Sequence, residues 1–178
     1  GAINFQAPDE ASGTDSILIA SKIEAIAEDT FAADNNKTKL VFSTGASAAA
    51  DSKFEIASDG SVSTPTAGTN NLRLGANAGN SIQSGGVQNI ALGDDAGTAI
   101  TTGDNNVCIG FQAGDAISTG DNNIAIGKNA LGAEDGHDFN IAIGSNALAV
   151  QNAGADAYNI AIGHNAGTTV STGVANTL

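Results

Sequence analysis

Large aliphatic residues alternate with small residues in a nine-residue phrase that recurs six times between Asn71 and the C-terminus. The copies are NLRLGANAG, NIALGDDAG, NVCIGFQAG, NIAIGKNAL, NIAIGSNAL and NIAIGHNAG. Their first residues are separated by 18, 17, 17, 17 and 19 positions. A period near 17 with fixed apolar positions predicts a solenoid of stacked coils rather than a globular core.

Two alternating sets of residues define the faces of a short strand in each coil. Positions are numbered here as offsets from the asparagine that opens each phrase, which is offset 0. Offsets 1 and 3 are large aliphatics that share one face, and we expect this face to form the interior of the roll. The predicted roll core is Ile90, Leu92, Val107, Ile109, Ile124, Ile126, Ile141, Ile143, Ile160 and Ile162.

Offset 2 points to the other face, and a solvated face should carry polar residues there. It is instead small and apolar in five copies, with Arg73 as the exception in the first. This pattern predicts a face that packs against another chain, and an alanine face in contact with water is the alternative. The predicted inter-chain face is Ala91, Cys108, Ala125, Ala142 and Ala161.

The rest of each coil has its own regularities. Offset 4 is glycine in all six copies, which indicates a bend. Four copies have glycine at offset 8 and a large aliphatic at offset 11, whereas two have leucine at offset 8 and a polar residue at offset 11. This exchange predicts that each coil contributes one large apolar group to a core of fixed cross-section.

Residues 1–67 have a different texture, with short runs of strand-forming residues between turn clusters. The run Ser16–Ile26 also fits a helical face, but its Ile17-Leu18-Ile19 segment favours a strand. The predicted fold is all-β. A β-rich segment over 1–67 precedes a parallel β-roll over 68–178, which has six coils of two strands each and the start of a seventh at Asn176.

Composition narrows the possible partners of the chain. The formal charge is −13 with only 6 Lys and Arg, which argues against binding nucleic acid phosphates or anionic membranes. No apolar run is long enough to span a bilayer. Only three large aliphatics per coil make a thin core, which favours association of several copies. The single cysteine, Cys108, excludes an intrachain disulfide.

Several polar groups could carry chemistry, but structural roles explain most of them. The offset 0 asparagines are expected to form a hydrogen-bonded ladder along the stack. Its predicted members are Asn71, Asn89, Asn106, Asn123, Asn140 and Asn159. Asp104 and Asp121 are weak Ca²⁺ candidates in adjacent coils, and turn chemistry is the main expectation for them. No other cofactor is expected.

The stretch 132–139 breaks the repeat with Glu134, Asp135, His137 and Asp138. A solvated acidic turn is the main expectation there. General acid–base chemistry on a glycan, or a metal held with His137, are the alternatives. Offset 5 varies most, and Phe111, Lys128 and His164 make a candidate recognition stripe, although free variation on an exposed face explains them equally well.

The repeated phrase resembles the head repeats of trimeric autotransporter adhesins, which carry an Asn-Ser-Val-Ala-Ile-Gly phrase in a parallel β-roll trimer. This chain departs in its longer period and in its Asn-Ile opening. The form TGDNNIAIGKNAL at 119–131, and the stretch 20–62, look still more like bacteriophage tail fibre proteins.

The tail fibre resemblance implies a non-enzymatic, elongated homotrimer on the outside of a virion that presents recognition of a host-surface glycan or protein. The head of a bacterial surface adhesin is the alternative, and a glycan-depolymerising tailspike is a further one.

Overall fold

The computed structural model describes residues 1–6, 19–29, 37–45 and 51–178. These residues contain eleven strands and no helix, as the all-β prediction requires. They fall into two compact units, Gly1–Pro65 and Thr66–Leu178, so the division lies two residues before the predicted one. The described part of the chain accordingly has no helix able to cross a bilayer.

The first unit is an antiparallel sheet in which each strand pairs with its neighbour in sequence. Its strands are β1 (Ala2–Gln6), β2 (Ile19–Ala27), β3 (Thr38–Thr44), β4 (Asp51–Ile56) and β5 (Val62–Ser63). The segment with helix–strand ambiguity is therefore a strand from Ile19 onward, while residues 16–18 lie outside the described part. One of the turn clusters predicted between the strand-forming runs, at 33–36, also lies outside it.

Cross-strand pairs stabilise this sheet. Phe42 and Phe54 are direct partners, and their rings meet edge to face with centroids 5.8 Å apart. The ammonium group of Lys39 lies 2.9 Å from a carboxylate oxygen of Glu55. Hydrogen bonds from Ser52 and Lys39 lower the pKa of Glu55.

The second unit is a six-stranded parallel sheet with one strand from each coil. Its strands are β6 (Leu72–Leu74), β7 (Ile90–Leu92), β8 (Val107–Ile109), β9 (Ile124–Ile126), β10 (Ile141–Ile143) and β11 (Ile160–Ile162). Equal offsets pair throughout, for example Val107 with Ile124. A bridge between Ile160 and Thr177 begins a seventh rung. The structure thus shows the predicted parallel β-solenoid with coils of about 17 residues.

The second half of each coil differs from the prediction of two strands, because it is built from turns. These turns still bond from coil to coil: the Gly97 amide donates to the Ala113 carbonyl at 2.9 Å. The Thr101 amide likewise donates to the Ser118 carbonyl at 2.8 Å. Stacking therefore satisfies backbone groups on both sides of the coil, although only one side is extended enough to form a strand.

The two faces of each strand are the reverse of the prediction. The offset 2 residues predicted to meet another chain lie inside the coil and are fully buried within the single chain: Ala91, Cys108, Ala125, Ala142 and Ala161. The offset 1 and 3 residues predicted as roll core point outward and are only partly buried: Ile90, Leu92, Val107, Ile109, Ile124, Ile126, Ile141, Ile143, Ile160 and Ile162.

Available space explains this reversal. A Cβ atom placed on Gly114, on the far wall of the coil, would lie 3.5 Å from the Cβ of Ala125 and 2.6 Å from the sulfur of Cys108. The interior is therefore only wide enough for a small side chain at offset 2. Isoleucine there would overlap the opposite wall, so the large residues take the outer face.

The interior is completed by the exchange between offsets 8 and 11. Ile100 and Ile117 fill it from offset 11, and Leu131 and Leu148 fill it from offset 8. Alanines at offset 7 pack beside them. Both leucines adopt positive φ values, 52° and 49°, a conformation that glycine takes without strain in the other coils.

Glycine at offset 4 is required by close stacking. Gly127 has a φ of 128°, and a Cβ there would lie 2.6 Å from the carbonyl oxygen of Gly144 in the next coil. Both the backbone conformation and the approach of the next coil exclude a side chain. The invariant glycine of the phrase is thus a condition for adding a coil to the stack.

Candidate interaction surfaces

The outer face of the parallel sheet carries two parallel columns of large aliphatic side chains, here called the aliphatic ladder. It comprises offsets 1 and 3 of all six coils: Leu72, Leu74, Ile90, Leu92, Val107, Ile109, Ile124, Ile126, Ile141, Ile143, Ile160 and Ile162. In the middle coils these side chains are partly exposed, and at the ends Leu74 and Ile162 are 52% and 62% exposed. A continuous apolar stripe of this length is typical of an interaction surface.

The offset 0 asparagines form one continuous ladder and are buried in every coil. The side-chain oxygen of Asn106 accepts a hydrogen bond of 3.0 Å from the backbone amide of Asn123. The Nδ2 group of Asn106 donates to the Gly120 carbonyl at 2.7 Å. Asn106 therefore joins the start of its own coil to the turn near the end of that coil and to the first residue of the next. The other ladder asparagines bond in the same way, except that the Nδ2 group of Asn140 donates to the Asp138 carbonyl instead, and the role is structural.

A second ladder joins the aspartates proposed as Ca²⁺ ligands. The carboxylate of Asp104 accepts a hydrogen bond of 2.8 Å from the Val87 amide, and that of Asp121 accepts one of 2.7 Å from the Asp104 amide. Asp138 continues the series by accepting one of 2.7 Å from the Asp121 amide. One oxygen of each carboxylate is thus directed at backbone, as expected of turn chemistry.

The candidate recognition stripe at offset 5 is on the surface. Phe111 is 43% exposed, and the ammonium group of Lys128 lies 5.9 Å from its ring centroid, which is within cation–π range. His164 is exposed two coils beyond Lys128, where its ring lies 3.0 Å from the side-chain nitrogen of Asn165. The structure therefore brings Phe111 and Lys128 together and leaves His164 apart from them.

Sequence reasoning missed an exposed aromatic pair. Phe139 and Tyr158 stack with ring centroids 5.3 Å apart and planes 4° apart, and they are 43% and 54% exposed. Each residue directly precedes a ladder asparagine, and their φ values are positive, 63° and 52°. In earlier coils the same position is occupied by Asn105 and Asn122, which also have positive φ values. Their shared position before the phrase was the signal that could have found them.

The carboxylates considered for glycan chemistry do not all lie on the surface, as that hypothesis requires. Glu134 is fully buried, so the expectation of a solvated turn is wrong at this residue. Its Oε1 atom lies 2.5 Å from the Nδ1 atom of His137. Asp138 belongs to the aspartate ladder. This placement gives no support to general acid–base chemistry on a bound sugar, because a glycan cannot reach Glu134.

Cys108 is a free thiol inside the coil. Burial, together with the charge of Asp115, raises the pKa of this thiol to about 12. The thiol is therefore protonated at neutral pH, and a protonated, enclosed thiol is a poor nucleophile.

Comparison with known proteins adds no relative to these observations. The chain matches no protein-family model, and no curated protein or solved structure is significantly similar to it.

Proposed function

We propose that this chain is a structural segment of a bacteriophage tail fibre, which associates as a homotrimer outside the cell and presents host recognition. The aliphatic ladder carries the proposal. It is the large apolar surface that the coil interior cannot accommodate, and it runs along every coil. Burying large aliphatic side chains contributes roughly 1.5–3 kcal/mol each at full burial, so covering this stripe strongly favours association.

A second copy of the chain is the partner whose chemistry fits best. The ladder repeats once per coil, in register from Leu72 to Ile160. A partner that contacts every rung must present apolar groups at the same spacing. A copy of this chain, aligned in parallel, has that spacing by construction, and three copies around one axis allow each ladder to contact the other two.

Exposed aromatic residues on the turns support a role in recognition. Phe139 and Tyr158 form one exposed pair, and Phe111 with Lys128 forms another. Aromatic rings on rigid turns supply contact area at low conformational cost. In a fibre whose aliphatic ladders meet at the axis, we infer that such groups would contact a glycan or protein on the host surface.

Molar mass in solution tests the assembly. The whole 178-residue chain has a mass of 17.4 kDa, and multi-angle light scattering should give three times that value. Replacing Ile124 and Ile126 together with serine should shift the chain toward monomer, because both side chains lie on the outer face. The far-ultraviolet circular dichroism should stay that of a β-protein, since the coil interior is untouched.

Lys128→Ser is the matched control, because Lys128 is exposed two residues beyond Ile126 but lies off the ladder. It should leave the molar mass unchanged. A wild-type chain that remains monomeric at high concentration would overturn the proposal, and so would a stable dimer. A trimer that the double serine variant leaves intact would show that another surface holds the copies together.

A further inference from the structure

Glu134 occupies a place in the coil that is apolar in the first three coils. It lies at offset 11, where Ile82, Ile100 and Ile117 fill the interior of the preceding coils. It is nevertheless fully buried, and a carboxylate is rarely buried unless a partner compensates its lost hydration. The residue therefore raises the question of what neutralises it.

Three potential metal ligands surround this carboxylate. One ligand atom from each of Glu134, Asp135 and His137 lies within 4.8 Å of the other two. The Nδ1 atom of His137 is 2.5 Å from Glu134 Oε1 and 3.8 Å from Asp135 Oδ1. The Asp135 side chain is 61% exposed and that of His137 is 18% exposed, so the group has access to solvent on one side.

A buried carboxylate oxygen of Glu134 that has no hydrogen-bond partner points to a ligand. The Oε2 atom of Glu134 is buried and has no hydrogen-bond partner. Gln151, at the same offset of the next coil, is also fully buried, and neither its side-chain oxygen nor its side-chain nitrogen has a partner. A buried polar group without a partner costs about 1–3 kcal/mol, so two neighbouring coils carry an uncompensated cost here.

Hydrogen bonds from the preceding coil and from the start of their own coil fix the backbone around the three residues. The Asp135 carbonyl accepts hydrogen bonds from the amide and hydroxyl of Ser118 at 2.5 and 2.7 Å. The His137 carbonyl accepts one of 2.9 Å from the ladder residue Asn123. Ligands held in place by their surroundings bind a metal with less loss of conformational freedom.

We propose that Glu134, Asp135 and His137 bind one divalent transition metal ion of the Zn²⁺ class. One imidazole nitrogen with two carboxylates suits such ions, whereas Ca²⁺ and Mg²⁺ prefer all-oxygen sites with more ligands. On binding, the metal replaces the hydrogen bond between Glu134 Oε1 and the Nδ1 atom of His137, and the imidazole proton then sits on Nε2. The inference does not depend on the fibre assignment, because all three ligands come from one chain.

Calorimetric titration of the metal-free full-length chain with ZnCl₂ tests this site. We expect one Zn²⁺ per chain and a rise in the thermal midpoint, since a ligand that binds only the folded state stabilises it. His137→Ala should weaken binding by about tenfold or more. Asp135→Asn should also weaken it, and this exposed residue can be changed without disturbing the interior.

His164→Ala is the matched control, because it removes the other histidine of the chain and should leave Zn²⁺ binding unchanged. The d–d absorption of Co²⁺ offers a second readout, which should appear in the wild type and disappear with Glu134→Gln. Failure to bind Zn²⁺ would overturn the proposal. So would binding that survives both His137→Ala and Asp135→Asn, binding lost in His164→Ala, or displacement of Zn²⁺ by equimolar Ca²⁺.

Discussion

Side-chain volume at offset 2 determines which way the strand faces in five of the six coils. The alanines there pack against the opposite wall of the coil, as the 3.5 Å approach between Ala125 and a Cβ placed on Gly114 shows. The first coil has Arg73 at this offset, and its guanidinium group donates to the Gly79 carbonyl at 3.2 Å. In the other five coils the small residue at this offset therefore decides that the neighbouring large aliphatics are outside.

Replacing Ala125 with leucine should destabilise the fold by about 1–3 kcal/mol or more, because the added atoms have no space in the interior. Urea unfolding followed by circular dichroism would measure the change in the free energy of unfolding. Ile126→Leu is the matched control on the outer face, and its effect should be below about 1.5 kcal/mol. A tolerated Ala125→Leu with a damaging Ile126→Leu would show that the predicted inward face was correct after all.

The coil is the unit at which core volume is conserved. Four coils combine glycine at offset 8 with an aliphatic at offset 11, and two use leucine at offset 8. Leu131 and Leu148 accept a left-handed conformation to do so, which costs roughly 1–2 kcal/mol. The structure shows that both solutions close the same interior, since Ile117 and Leu131 are both fully buried.

Converting a coil with leucine at offset 8 into one with glycine at offset 8 and isoleucine at offset 11 tests whether the two arrangements are equivalent. Leu131→Gly alone should cost about 2–5 kcal/mol through the cavity it leaves, less the roughly 1–2 kcal/mol of left-handed strain that glycine relieves. Glu134→Ile alone should overpack the coil, whereas the double variant should recover most of the lost stability. A double-mutant cycle by urea unfolding would measure the coupling. Additive effects of the two changes would contradict volume conservation, and Leu148→Gly with Gln151→Ile repeats the test in the next coil.

The sequence predicted the period of the stack and the first strand of each coil better than the second half of the coil and the environment of the side chains. Spacing and invariant glycines were sufficient for the period, the parallel stacking and the asparagine ladder. Alternation shows that Ile124 and Ile126 share a face, but it does not show which face is inside. Small residues at offsets 2, 7 and 8 were the available signal for a narrow interior. The register was the signal for the burial of Glu134, which shares offset 11 with Ile100 and Ile117, whereas its charge predicted a solvated turn.

At the scale of the whole molecule, the second unit is a one-dimensional stack in which each coil contacts only its neighbours. Its interior is narrow, and its largest apolar surface is outside. Stability then grows by adding coils and by covering the aliphatic ladder rather than by thickening the core. Opening of the coil interior and dissociation of the chains are separate events in such a molecule. The thiol of Cys108 can distinguish them, because it lies inside the coil, in the third strand of the stack, and is exposed only when the coil opens.

Cys108 should resist alkylation in the folded chain and react rapidly in urea. Its pKa of about 12 keeps the thiol protonated in the native state, whereas an unfolded thiol has a pKa near 8.5. This difference also means that the free energy of unfolding should fall as pH rises from about 8.5 toward 12.

Iodoacetamide labelling read by mass spectrometry would measure the reactivity of the Cys108 thiol. The Ile124→Ser, Ile126→Ser variant should label as slowly as the wild type, since separating the chains leaves the coil closed. Rapid labelling of that variant under native conditions would instead place the thiol between chains.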